Sequence, residues 1–468
     1  MRAAHKLRAR FQASSGKRLK LIGATGQLGY GVPEPAFSAA LAAKPDMIGA
    51  DMGSTDIGPT FLGSGQMATS PEQTKADLKK LVLGARSLDA PLILGSAGSA
   101  GAAPHLDATL GMIREIAAEA GISFRMATIR SDIPAGTVAT AIDAGRVRGM
   151  GVLPELTAAE ARAADNLVGQ AGTEAFVRAL EADADIIVAG RACDTGIYAA
   201  IPEWLGFSPA SATHMAKIVE CASLCCLPGG RDPIMATLDE RGFELESMNP
   251  DRAATPMSVA AHSLYEQGDP ACIIEPAGTV MIDAATYTAL DERRVRVEGA
   301  RWVPAETPTI KLEGAAHVGE RAVLLAGSAD PRFIAGVTKI LEDVKGVVAK
   351  LVSGPGEAPD YDLFFRVYGD NAVFPWPKPP ETAPREIFIL GECIAPTAAR
   401  AMAVVKSTKQ YLLHHGFPGR LSTSGNIAFP FTPPELSAGP AYRFNVYHLM
   451  EVDDLAAHFP VAVETVGG

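Results

Sequence analysis

Apolar residues in the first half of the chain come in short blocks separated by longer stretches of helical period. The blocks at 19–23, 46–50, 91–95, 122–129 and 185–190 read as strands. Between them, Leu106, Leu110, Ile113 and Ala117 mark one face of a helix over 106–120, with Gly121 at its stop. Strands alternating with helices predict an α/β fold: a mostly parallel sheet with helices on both faces. The alternation lapses around Pro228, Gly229 and Gly230, and a second, mixed α+β domain is expected beyond it. There, 295–297, 322–327, 361–368 and 385–390 read as strands. Val337, Leu341, Val344, Val348 and Leu351 mark a long helix. The Pro-rich runs 354–359 and 374–384 read as loops. The expected layout is a basic tail at 1–18, an α/β domain with the site at 19–245, and a mixed domain at 246–468.

Composition narrows the classes. Of 468 residues, 47% are hydrophobic and 20% charged, which is the make-up of a globular protein. Lys plus Arg is 42 against 53 Asp plus Glu, a net charge of −11, and basic residues cluster only within the first twenty positions. Nucleic acid is therefore a poor partner. No apolar stretch approaches the length of a membrane span, so no membrane association is expected. The six cysteines (Cys193, Cys221, Cys225, Cys226, Cys272 and Cys393) form no C-x-x-C pair, which suits a reducing compartment, and a cytoplasmic location is expected. The acid-free start, with Arg2, Lys6, Arg8 and Arg10, reads as a frayed basic tail, with a transit peptide as the alternative.

In an open parallel sheet, ligands bind beyond the carboxyl ends of the strands, and four loops there carry suitable residues. The first runs from Gly23 through Thr25 and Gly26 to Gly29, a G-x-x-G-x-x-G like the dinucleotide loop of extended short-chain dehydrogenases. Pro33 and Pro35 interrupt the helix that should follow, and the chain has no Y-x-x-x-K. A tight turn that brings backbone close to an anion is the preferred reading. In the second loop, Asp51 is either a proton-transferring group or a cap, and Asp56 reads as a cap. In the third, Gly95, Ser96, Gly98 and Ser99 offer backbone N–H groups to a phosphate or carboxylate, and His105 lies either at the ligand or on the surface. The fourth holds Arg191, a planar fork for an anion, and Asp194, an acid or base or simply the partner of Arg191. Cys193 reads as a small buried residue.

On the following helix, Lys217 and Cys221 share a face, and Glu220 must find a partner among apolar neighbours. Glu220 with Cys221 makes a poor metal pair, so no metal ligands are assigned. The sequence requires no cofactor but leaves room for a divalent metal. Glu275 and the Asp370-Asn371 pair are weaker candidates.

The ordered set resembles the acyclic terpene utilisation (AtuA-like) family, formerly a domain of unknown function. It comprises the glycine turn with Pro33-Glu34, the Asp51 loop, the Gly95 loop, Gly190-Arg191 with Asp194, Glu220-Cys221 followed by Gly229-Gly230, and Gly268-Asp269-Pro270. The match covers roughly residues 20 to 330. The resemblance implies a catabolic lyase (a hydratase or dehydratase) or an isomerase acting on a small carboxylate or its CoA thioester. Arg191 would hold a carboxylate, the Gly95 loop a second anion, Asp51 or Asp194 would move the proton, and Glu220 would be the opposite acid. Gly23, Thr25, Gly26 and Lys217 complete the substrate side. The resemblance further implies a separate small partner subunit of about 100 residues and a homo-oligomer. Lys217 stands where relatives are expected to carry His, and the chain lacks the Ser-Gly-Asp-Lys-Gly-type run of longer relatives. Two alternatives stay open: a non-catalytic substrate-binding subunit of a two-component enzyme, and an NAD(P)-dependent oxidoreductase.

Overall fold

The computed structural model describes residues 2–13, 16–353, 357–374, 382–421 and 426–467. The expected loops at 354–359 and 374–384 fall in large part on 354–356 and 375–381, outside the described residues. The chain divides into two compact units, Met1–Ala316 with Phe444–Gly468, and His317–Arg443.

The first unit is built on a ten-stranded sheet. Its strands are β1 (Leu19–Gly23), β2 (Met47–Asp51), β3 (Leu92–Gly95), β4 (Phe124–Ile129), β5 (Ile186–Ala189), β6 (Ile234–Leu238), β7 (Gly242–Ser247), β8 (Thr286–Ala289), β9 (Arg294–Glu298) and β10 (Val461–Val466). They lie in the order β8-β9-β7-β6-β1-β2-β3-β5-β4-β10. The run from β1 to β4 is parallel. The other five pairings are antiparallel, so the mostly parallel sheet expected from the sequence is corrected to a mixed one. The reason is local. Strand–helix alternation produces parallel neighbours only as far as β5. After residue 230 the chain adds hairpins beside β1, and β10 returns from the C-terminal end to cover β4. The boundary expected at 245 falls inside β7, which is hydrogen-bonded to β6 and β9.

Every residue of β2, β3 and β5 is buried, as a strand covered on both faces requires. Alternate residues separate into two cores, because side chains alternate across a strand. Leu21, Met47, Ile93, Ala127 and Ile187 belong to one, and Ile22, Ile48, Leu94, Met126 and Val188 to the other. The helix Ala103–Ala120 buries Leu106, Leu110, Ile113 and Ala117 and ends at Gly121 with φ 61°, a left-handed cap that glycine adopts without strain. The expected frayed tail is instead a helix, Ala3–Ala13. It buries Ala3, Ala4, Leu7 and Phe11, because its apolar residues share one face, and it lays Arg8 over the Trp204 ring.

The second unit has antiparallel strands at Asp362–Tyr368 and Ile387–Ala395, the latter paired with 320–328. Two helices, Pro331–Val352 and Ala398–His414, share with them a core that includes Leu324, Phe333, Val337, Leu341, Ile389 and Val404. The Asp370-Asn371 pair lies in an exposed turn of this unit. Among the described residues, no helix is long and apolar enough to cross a membrane.

Candidate active site

Parallel strands end on one side, and the register sets Gly23 against Gly49 and Asp51 against Gly95. The loops after β1, β2, β3 and β5 therefore meet at one edge. Two helices complete it: α1 (Asp194–Trp204), which follows β5, and α2 (Pro209–Val219), which ends at Glu220.

Glycines set the spacing. A Cβ on Gly95 would lie 2.3 Å from Ile197 of α1, and one on Gly23 would lie 2.6 Å from Val219 of α2. One on Gly26 would meet the Cys221 backbone at 3.2 Å. The first glycine loop thus seats the end of α2. Donors at its end and beyond are engaged within the protein: Asp77, fully buried, accepts from the N–H groups of Gly29, Gly31 and Val32 at 2.9–3.0 Å. Thr25 is buried and donates to the Gln27 carbonyl. The Gly95 loop is likewise internal. The N–H groups of Ser96, Ala97, Ser99 and Gly101 all donate to backbone carbonyls. Ser96 and Ser99 are fully buried at positive φ (49° and 82°), a conformation that costs a non-glycine residue. Gly98 packs against His105. That histidine is fully buried beside the Phe61 and Gln66 carbonyls, not on the surface, and burial lowers its pKa.

Arg191 is nearly fully buried, and its fork faces the protein. Nε donates to Glu313 Oε2 at 2.8 Å, and Nη1 to Ser96 Oγ at 3.1 Å. Asp194 lies 3.9 Å from Nη1, with its side chain about one third exposed (35%). Burial opposes the charge on Arg191, but Glu313, Asp194 and Asp51 outweigh it and raise its pKa. Glu313 has 0% exposure; despite that burial, Arg191 and Lys311 hold its carboxyl down at about 2. Gln170 and Lys311 also donate to Glu313. The Cys193 thiol contacts Gln170 Oε1 at 3.7 Å, and burial pushes its pKa up, which makes it a poor nucleophile.

Asp51 is buried at the tip of β2. Its Oδ2 accepts from the Gly53 N–H at 3.0 Å, while Oδ1 has no hydrogen-bond partner among the described residues. Burial, then the charge of Asp194, raises its pKa well above the usual range. Burial also raises Asp194, against the opposing charges of Arg191 and Lys217. Lys217 contacts Glu220 at 2.6 Å and Glu266 at 3.5 Å. Burial and Asp194 push Glu220 up, and Lys217 holds it down. The charge of Asp194 thus bears on both Asp51 and Glu220. Asp56 is exposed and accepts from Ser54 in a turn.

Sequence reasoning missed Tyr198, Glu313, Lys311 and Glu266. Tyr198 is fully buried and its hydroxyl has no partner among the described residues. Burial raises its pKa, and the charges of Asp51, Glu220 and Asp194 raise it further. Its signal was its position one helical turn after Asp194. Glu313 carried no such signal, since it lies in the strand Thr309–Ser328 far along the chain from Arg191. Among the described residues, no three His, Cys, Asp or Glu side chains are placed to hold a metal ion.

The arrangement gathers carboxyls of raised pKa and unpartnered buried oxygens at one sheet edge, with the buried Arg191 near Asp194 and the buried Lys217 on Glu220. A family model described as acyclic terpene utilisation family protein AtuA matches residues 97–430, well over half of the chain. No curated protein matches, and no solved structure does.

Proposed function

As the chain belongs to the acyclic terpene utilisation family AtuA, we propose that it is a general acid–base enzyme: a lyase that adds or removes water, or an isomerase, acting on a small carboxylate or its CoA thioester. One observation carries this reading. Burial raises the pKa of Asp51, Asp194 and Glu220, Asp194 raises the other two further, and buried oxygens of Asp51 and Tyr198 have no partner among the described residues. Carboxyls pushed toward neutrality can both give and take a proton at working pH, which is what such chemistry requires. In this reading Asp51, buried and short of donors, holds the proton. Asp194, at the solvent margin, exchanges it. Arg191, held on Glu313, limits how far the Asp51 and Asp194 carboxyls are raised.

The experiment is deuterium uptake from D2O into a panel of hydroxy acids, unsaturated acids and their CoA thioesters, followed by NMR. Wild-type protein is expected to label a carbon next to a carbonyl. Asp51→Asn and Asp194→Asn should slow labelling by about 100-fold or more while still folding. Labelling at an unchanged rate in a folded Asp194→Asn variant would overturn the assignment. Binding without any labelling would turn the account toward a non-catalytic substrate-binding subunit.

A further inference from the structure

The three cations of the site are not equally available. Arg191 faces the fully buried Glu313, and its Nη1 is taken by Ser96 and the Ala192 carbonyl. Lys311 is shared between Glu313 at 2.9 Å and the Tyr447 hydroxyl at 2.8 Å. Lys217 differs. Its inner partner, Glu220, is buried at 2.6 Å, but its outer partner, Glu266, is 3.5 Å away with its side chain 52% exposed.

The backbone at Glu266 is also unusual. It follows the helix Pro256–Ser263 and holds φ +60°, the left-handed region that disfavours side chains. Ser263, just before, is buried and bonded to His214 at 3.1 Å, a fixed point. Beyond it Leu264 and Tyr265 are about half exposed, and Gly268 borders open space. Through Lys217, the Glu266 carboxylate is tied to the same cation as the buried Glu220.

We propose that Lys217 receives the substrate's carboxylate, and that Glu266 is a gate whose own carboxylate occupies that place until an anion displaces it. The proposal rests on the reading that the ligand is a small carboxylate. Displacement releases the turn 264–268, and the bound anion shares Lys217 with Glu220.

The test is calorimetric titration with succinate, with succinamide as the uncharged control, so it is independent of turnover. Glu266→Gln removes the competing carboxylate and should bind succinate about tenfold tighter than wild type, because less of the protein is held in the occupied state. Succinate should also speed backbone hydrogen exchange at 264–268 in wild type. The Lys217→Met/Glu220→Gln double variant, which leaves no buried charge unpaired, should lose binding. Equal or weaker binding by Glu266→Gln, binding that survives in the double variant, or no succinate binding by either wild type or Glu266→Gln overturns the gate. The deuterium-labelling experiment tests the acid–base reading separately.

Discussion

Arg191 and Glu313, 122 residues apart in the chain, are joined by a 2.8 Å hydrogen bond in which both side chains are almost wholly removed from water. A buried charge that loses its partner is costly. Glu313→Gln is therefore expected to destabilise the first unit by about 3–5 kcal/mol, read by urea denaturation. Replacing both residues by apolar ones of similar volume should recover most of that loss. Equal stability of Glu313→Gln and wild type would show that the pair carries no such charge balance.

Asp77 holds the first glycine loop. It accepts from three backbone N–H groups and from Gln73 Nε2 at 3.1 Å. Asp77→Ala leaves those donors without an acceptor, and bonds to a charged group are worth about 1.5–3 kcal/mol each. The expected result is a loss of at least about 3 kcal/mol, with faster amide exchange at Gly29, Gly31 and Val32.

Gly95→Ala puts a methyl 2.3 Å from Ile197, and overpacking of this kind costs about 1–3 kcal/mol. Because Ile197 sits on α1, the variant also shifts Asp194 and should impair ligand binding. Adding Ile197→Ala opens the space and should restore part of the stability. A shift that persists in the double variant would contradict this account.

Glu174, Glu203 and Glu275 line a cavity of about 210 Å³ with Trp302 and Thr213. Burial first, then the neighbouring acids, raises Glu203 to about 7; burial, chiefly, raises Glu275 to about 7, from an ordinary value near 4.5. The folded state therefore binds these protons more tightly than the unfolded state. Their contribution is complete below about pH 4.5 and is lost as pH rises through 7. Tm followed from pH 4.5 to 8 should carry a falling component, and Glu203→Gln/Glu275→Gln should flatten it. An identical profile in the double variant would contradict the shifts.

The sequence made much of the first half legible, because β1 to β5 are apolar runs whose burial dictates their composition. The same pattern does not reveal strand direction. β6 and β7 are not among the strands read from the sequence, and their hairpin, which turns the sheet antiparallel, is visible only once the chain is folded. At the site, Asp51, Arg191, Asp194, Lys217 and Glu220 come together because their loops share one sheet edge. Glu313 was not legible, since only folding brings the strand Thr309–Ser328 beside Arg191. Nor did glycine spacing reveal its use: Gly23 and Gly95 accommodate Val219 and Ile197.

The most direct measurement of the central claim is the protonation of Asp51, followed by infrared difference spectroscopy of the carboxyl C=O stretch. The account predicts a neutral carboxyl band in wild-type protein at pH 7 that is absent from Asp51→Asn. If wild type and variant show the same spectrum at pH 7, Asp51 is an ordinary ionised carboxylate, and the acid–base account fails at its first residue.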